Sequence, residues 1–196
     1  MRRRCARHRP SRRPRRAVIG RSIALELPPG RIRPVVRLPA EVLSRPCDRV
    51  DPESDEVVAL AADLLATMAV SPGCVGLAAN QVGSSLRVFS LNVTGHPKTR
   101  TSHGAFVLCN PELVAASRNA KGREGCMSVP DWTGDVKRAT RIEVAGTLPG
   151  SGEKVVLATD AFEAIAIQHE IDHLDGLLFL DRLPDARALH RRVNYQ

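Results

Sequence analysis

The chain has 196 residues, which is enough for one domain with its own core and short for two. Hydrophobic residues make up 43% and charged residues 26%, a globular balance that excludes a fully disordered protein. No apolar run approaches the ~20 residues of a membrane-spanning helix, so we expect no membrane partner. Aromatic residues make up only 3%, which disfavours recognition of single-stranded nucleic acid by base stacking.

The net charge of +8 is concentrated at the amino terminus. Residues 1–16 contain nine arginines and no acidic residue, which leaves 20 basic side chains against 21 acidic ones in the rest. Because such a block repels itself and buries little apolar surface, we predict a disordered arm over 1–20 and one folded domain over 21–196. The arm is either a dispensable start, a targeting segment, or an arm that binds RNA, in which case the ribosome becomes a partner.

Five cysteines form an odd set without a CxxC pair: Cys5, Cys47, Cys74, Cys109 and Cys126. The arm lacks the apolar core of a secretory signal. A disulfide framework is therefore not expected, and a reducing compartment, the cytoplasm, fits better.

Hydrophobic spacing predicts the elements in chain order. Residues 17–50 favour extended segments and short turns, and a helix is predicted from Asp51-Pro52-Glu53 to Pro72-Gly73. Short strands follow at 86–91 and 105–108 around a polar loop.

Further strands are predicted at 141–145 and 154–157. Asp160 then begins a second helix, with Glu163 as its capping-box partner, and this helix ends near Asp175-Gly176. A long helix, short strands and a second long helix indicate a single α+β domain with small antiparallel sheets.

The second helix carries His169-Glu170-Ile171-Asp172-His173. Two histidines four residues apart lie on one helix face, so both imidazoles can reach one ion, with Glu170 beside it. We therefore predict that this helix is a central, metal-binding one.

A catalytic ion usually has a third protein ligand and an open position. A metzincin protease would need histidine where Phe179 stands, and no glutamate follows Glu170 to complete a thermolysin-like set. Cys126, between a glycine and a stiff turn, is the favoured third ligand. A protease with an aspartate ligand (Asp175, Asp181 or Asp185) stays open, as does a structural zinc site completed by His96, His103 or Cys109.

A third stretch, Cys74 to Gly83, is small, apolar and uncharged. It is either a tight helix-to-strand crossing or a wall that admits a peptide backbone and aims the Gln81 amide at a reacting carbonyl.

Together these stretches resemble the bacterial peptide deformylase family. That family carries Gly-x-Gly-Leu-Ala-Ala-x-Gln, Glu-Gly-Cys-x-Ser and Gln-His-Glu-x-Asp-His in this order. This chain matches them at Cys74–Gln81, Glu124–Ser128 and Gln168–His173. The resemblance covers about residues 30–183 and implies a deformylase-like catalytic domain over 21–196. It also implies hydrolysis of the N-formyl group from the starting methionine of new polypeptides, with release of formate.

The resemblance implies a role for each matching residue. The metal ligands are Cys126, His169 and His173, and Glu170 is the catalytic acid/base. Gln81 and the Met127 backbone N–H stabilise the oxyanion. The implied substrate-binding residues are Gly76 through its backbone and Arg138 near the site, with Glu124 as partner of Arg138; apolar residues of the metal helix, Ile165 among them, are expected to line the methionine pocket.

Two further expectations concern the ion and the first motif. The cofactor is one divalent metal ion per chain, with Fe(II) favoured by the resemblance and zinc, nickel and cobalt compatible with the donors. Cys74 stands where the family has glycine, so a positive φ there would be strained unless Gly73 takes the turn.

Overall fold

A hairpin of two long strands dominates the computed structural model, which describes residue 23 and residues 25–193. Strand β3 runs over Phe106–Cys126 and β4 over Val129–Thr147. They pair antiparallel up to Cys126 and Val129, so a turn of two residues joins them. The predicted strands at 105–108 and 141–145 are parts of this hairpin, and the arm predicted over 1–20 lies outside the described residues.

Four shorter strands extend the hairpin into one antiparallel sheet. They are β1 (Gly76–Ala78), β2 (Val88–Leu91), β5 (Lys154–Asp160) and β6 (Leu189–Arg191). The strand order is β1-β2-β3-β4-β5, with β6 added to β4. The small sheets expected from the sequence are therefore joined through β3 and β4.

Two α-helices complete the fold. Helix α1 covers Asp55–Val70 and begins later than predicted, because the Ser54 side chain caps it by accepting from the Val57 N–H at 3.4 Å. Helix α2 covers Ala161–Leu174. As predicted, it ends at Asp175-Gly176, where the glycine has φ +74°, a conformation that side chains other than glycine rarely adopt.

The capping box predicted for α2 is wrong. The Asp160 side chain makes no cap hydrogen bond and accepts instead from Thr101 Oγ1 at 2.9 Å. The Glu163 carboxylate is fully buried and accepts from the His103 N–H at 2.8 Å and from Thr159 Oγ1 at 2.6 Å. These tertiary partners fix Glu163 away from the start of the helix, and they tie the loop before β3 to α2.

The two helices pack on opposite faces of the sheet. Because side chains alternate along a strand, Val88 and Val107 join the α1 cluster while Phe89 and Phe106 join the α2 cluster. The protein is thus a single α+β domain, as predicted. Among the described residues, no helix is both long enough and apolar enough to cross a membrane. This layering brings the second half of α2 to the turn of the hairpin.

Candidate metal centre and active site

The three predicted metal ligands meet at the end of the hairpin. Cys126 is the last residue of β3, and His169 and His173 lie one turn apart on α2. Their donor atoms all lie within 4.8 Å of one another, and Cys126 Sγ is 3.2 Å from His173 Nε2. Cys126 stands 43 and 47 positions before the two histidines in the chain, and the fold brings the three donors together.

The environment of Cys126 favours its thiolate form. Burial raises the pKa of this thiol, but the charges and hydrogen bonds of His173 and His169 outweigh burial and hold the pKa well below its usual value. The Ser128 N–H also points at the sulfur, at 3.4 Å. Since metals bind thiolate rather than thiol, one thiolate and two imidazoles form a set that fits a divalent transition metal.

His169 is oriented by a carboxylate behind it. Its Nδ1 lies 2.9 Å from Glu124 Oε2, which leaves Nε2 for an ion. Burial raises the pKa of Glu124, but hydrogen bonds from His169 and Arg138 lower it to about 2. Glu124 is therefore a buried anion that fixes the ring and its tautomer.

Arg138 lies in the layer behind the ligands. Its side chain is buried, and its Nε and Nη2 donate to Glu124 at 2.8 and 3.0 Å, the ion pair predicted from the sequence. Its Nη1 donates to Asp172, whose carboxylate also accepts from Arg182. Because all three nitrogens have carboxylate partners, this environment favours a positioning role over the substrate contact expected from the sequence.

Glu170 is buried beside the ligand set, and its Oε2 has no hydrogen-bond partner in the described part of the chain. Burial raises its pKa to about 7, although the charges of His169 and His173 act against this rise. A carboxyl group that titrates near neutrality is suited to taking up and giving back a proton.

Gly76 forms the wall against which Glu170 packs. A Cβ built on Gly76 would lie 2.8 Å from Glu170 Cδ, closer than real contacts allow. A residue larger than glycine at position 76 would therefore displace the Glu170 carboxylate. The preceding Gly73 has φ +67°, so it takes the turn and leaves Cys74 unstrained. Cys74 Sγ donates to the Gly76 carbonyl at 3.1 Å.

Gln81 is held with its amide nitrogen at the metal centre. Its Oε1 accepts from the Ala78 N–H at 3.0 Å, and its Nε2 lies 3.4 Å from Cys126 Sγ and 3.2 Å from Ser128 Oγ. Met127 occupies the hairpin turn, and its side chain packs against the α1 cluster. Of the two predicted oxyanion donors, Gln81 therefore contacts the Cys126 sulfur, and Met127 directly follows Cys126 in the chain.

Ile165 lies one turn before His169 on α2 and is half-buried. It lines an open groove together with Phe162, at the start of the same helix. The apolar residues expected to line the methionine pocket thus lie on the same helix as both imidazoles, toward the amino terminus of that helix.

Sequence reasoning missed three supporting residues. Asn80 is fully buried and donates through Nδ2 to the His173 carbonyl at 2.5 Å, and Ser128 contacts both Gln81 and the Cys126 sulfur. Asp172 ties Arg138 to Arg182. The available signal was their position inside the three motifs, next to assigned residues.

The alternative ligand sets are not assembled among the described residues. Asp175 pairs with Arg87, and Asp181 accepts from the Leu178 N–H at 2.8 Å. His96 stacks on Phe162 with ring centroids 3.8 Å apart, and His103 pairs with Glu163. Within residues 25–193, one group of three or more histidine, cysteine or acidic side chains has its donor atoms close enough to share an ion. It consists of Cys126, His169 and His173.

A thiolate and a helix-borne histidine pair, flanked by a buried glutamate, place this α+β domain among the metal-dependent hydrolases. The family described as polypeptide deformylase matches residues 32–188. The chain belongs to the peptide deformylase family and removes the N-formyl group from nascent peptides.

Individual relatives agree with this assignment. The peptide deformylase of Aquifex aeolicus (strain VF5) is 38% identical over 165 residues, which is 84% of this chain and 95% of that protein. The crystal structure of peptide deformylase from Ehrlichia chaffeensis has a TM-score of 0.73 at 30% identity, covering 80% of this chain and 90% of that one. A Met-Ala-Ser-bound class I type b peptide deformylase from Acinetobacter baumannii has a TM-score of 0.70 at 35% identity, covering 78% and 98%.

Proposed function

We propose that deformylation by this chain uses Cys126, His169 and His173 as the metal ligands and Glu170 as the catalytic acid/base. The observation that carries the proposal is the Glu170 carboxylate, which is buried against the ligand set with one oxygen lacking a hydrogen-bond partner among the described residues. When bound, the ion supplies Lewis acidity and makes water acidic enough to act as a nucleophile near neutral pH.

The residues around the ion divide the remaining work. Glu170 takes the proton of the attacking water and gives it to the leaving amine of the methionine. Gln81 Nε2 and the Met127 N–H donate to the oxygen that becomes negative as the formyl carbon turns tetrahedral. The Gly76 backbone contacts the substrate peptide, while Arg138 and Glu124 hold His169 in place.

Ile165, with Phe162, lines the pocket for the methionine side chain. Its position is suitable, because only four helical residues, about 6 Å along the helix axis, separate Ile165 from His169. The Acinetobacter baumannii enzyme has been crystallised with Met-Ala-Ser, a peptide with methionine first. Accordingly, Ile165→Arg should raise KM for formyl-Met peptides strongly, and unchanged turnover would remove Ile165 from the pocket.

Fe(II) is the ion that we propose for the active enzyme, because one thiolate and two imidazoles accept it and the family resemblance favours it. An iron–thiolate centre is sensitive to oxygen. Protein prepared without oxygen should therefore contain iron and be more active than protein prepared in air. Equal activity in zinc-loaded protein would overturn the assignment of iron.

The test of the residue roles combines metal analysis with formate release from formyl-Met-Ala-Ser. Glu170→Ala should keep about one ion per chain and lose turnover by at least about 10²-fold. Cys126→Ala should lose both. An exposed substitution on the same strand, Glu112→Ala, serves as control and should keep both. Turnover by Glu170→Ala at the wild-type rate would contradict the proposed acid/base.

The proposal also gives the arginine-rich amino terminus a role, which is to bind the ribosome. Nine arginines in residues 1–16 suit binding to ribosomal RNA, which would bring the enzyme to nascent chains in the cytoplasm. Deletion of residues 1–16 should weaken ribosome binding, and the loss should be larger at low salt. Equal binding by both forms would assign no function to the arm.

A further inference from the structure

A basic groove lies at the amino-terminal end of α2, outside the metal centre. Its cavity measures about 540 Å³, and its rim carries four exposed cations with one acid: Lys98, Arg100, Arg118, Arg141 and Asp160. None of the four cations forms a salt bridge within the described part of the chain, and Asp160 accepts a hydrogen bond from Thr101. Asp160 lies opposite Arg141 on the neighbouring strand β5, so the groove presents a net positive charge, four cations against one acid, to solvent.

The side of the groove nearest the active site is apolar. Phe162 and Ile165 line it, and Phe162 is held by the stacked ring of His96. The cations lie on separate elements, since Lys98 and Arg100 belong to the loop before β3, whereas Arg118 and Arg141 belong to β3 and β4. An apolar floor with a positive rim suits a peptide with acidic side chains better than a bare phosphate.

The length of α2 determines which part of a peptide can reach this groove. Ile165 is about 6 Å and Ala161 about 12 Å from His169 along the helix axis, at about 1.5 Å per residue. An extended peptide advances about 3.3 Å per residue. A peptide with its formylated methionine at the ion that runs along α2 toward Ala161 therefore reaches the rim with its third to fifth residues.

We propose that this groove binds acidic side chains at the third to fifth positions of the nascent peptide, so that the enzyme prefers substrates carrying aspartate or glutamate there. The proposal rests on the proposed placement of the methionine beside Ile165. It goes beyond the known reaction, which concerns only the formyl group and the first residue.

The groove is assigned to peptide rather than to RNA because it adjoins the proposed methionine pocket. Ile165, one helical turn before His169, lines the groove and is also the residue proposed to contact the methionine. Solvent-exposed ion pairs are individually weak, and two or three of them together should change kcat/KM by about threefold to tenfold. Salt should reduce the preference, because the pairs are screened.

The test uses three peptides of the form formyl-Met-Ala-X-X-X-amide, in which X is glutamate, glutamine or lysine. Formate release gives kcat/KM for each at about 20 mM and about 500 mM salt. The wild type should favour glutamate over glutamine by about threefold to tenfold at low salt and by less than twofold at high salt. Turnover of the glutamine peptide measures deformylation itself, so its loss would count against the proposed residue roles and not against the groove.

Variants locate the effect. Arg100→Ser/Arg141→Ser and Arg141→Glu each lower the net charge of the rim from +3 to +1, so each should reduce the glutamate-to-glutamine ratio to below about twofold. The matched control is Lys137→Ser/Lys154→Ser, which removes the same charge from residues that do not line the groove and should keep the wild-type ratio. Equal kcat/KM for all three peptides in the wild type would overturn the proposal. So would a preference that the groove variants leave intact, or salt-sensitive binding of a ribosomal RNA fragment lost in those variants without any peptide preference.

Discussion

Gly76 and Glu170 lie in direct contact across the active site, with the backbone of β1 against the carboxylate. No side chain fits between them, since a Cβ on Gly76 would lie 2.8 Å from Glu170 Cδ and 3.0 Å from its Cγ. Glu170 Oε2 has no hydrogen-bond partner among the described residues, so packing against β1, rather than a hydrogen bond to that oxygen, holds the carboxylate. The position of Glu170 therefore depends on the shape of the strand beside it.

This contact predicts the effect of Gly76→Ala. The added methyl group displaces the Glu170 carboxylate, so kcat should fall by about 10²-fold or more while the metal content stays at that of the wild type. Formate release and metal analysis on the same preparation measure both quantities.

Gly122→Ala is the matched control, because a Cβ on Gly122 meets nothing within 4 Å. It should leave kcat within about twofold of the wild type. If Gly76→Ala retained full kcat, Glu170 would not depend on this wall.

Glu124 predicts a coupled loss of metal affinity and stability. Glu124→Gln leaves Arg138 with one carboxylate partner and removes the charge that orients His169. Metal affinity should fall by about 10- to 100-fold, and the metal-free protein should lose about 3 kcal/mol of unfolding free energy. Chelator competition and denaturant unfolding measure the two effects.

Glu112→Gln provides the comparison for Glu124→Gln. Glu112 lies on the same strand but in an exposed ion pair with Arg49, so both measurements should stay near those of the wild type. Unchanged metal affinity in Glu124→Gln would show that His169 is oriented without this carboxylate.

The sequence indicated the grouping of Cys126, His169 and His173 more clearly than it indicated the strands, for a physical reason. The placement of His169 and His173 on one helix face follows from helical periodicity, and their spacing of four residues is enough to indicate it. The middle of β3, from Glu112 to Arg123, is mostly exposed, and Leu113 and Val114 are its only large apolar residues, so it lacks the alternation that indicates a strand. It is extended because β4 pairs with it, and such pairing between distant segments leaves no local signal.

Tertiary contacts also explain the wrong capping box. Aspartate and glutamate three residues apart indicate a helix start, but His103 and Thr159 both contact the Glu163 carboxylate. Neither partner can be deduced from residues 160–163. The network of Glu124, Arg138 and Asp172 is similar: its members lie on three elements, and only the first pair was expected from their motif positions.

The buried thiol of Cys109 predicts a loss of stability at alkaline pH. Burial raises the pKa of Cys109 from 9.0 to about 12. Between these values the unfolded chain releases the proton and the folded protein keeps it, so the free energy of unfolding falls as pH rises. At pH 10.5 this single thiol should cost about 2 kcal/mol relative to pH 8.

Comparison with Cys109→Ala isolates this effect. The variant has a cavity at every pH but no thiol to titrate, so the wild type should lose stability relative to it between pH 8 and about 10.5. Urea unfolding at the two pH values measures the difference. A difference that stays constant with pH would contradict a buried, protonated Cys109.

The most direct test of the metal centre is anomalous diffraction from crystals of the metal-loaded enzyme, with data on both sides of the absorption edge of the ion. One site should appear, about 2.3 Å from Cys126 Sγ and about 2.1 Å from Nε2 of both His169 and His173. An ion bound at other residues, or a Cys126 sulfur outside the coordination sphere, would contradict the assignment of the active site.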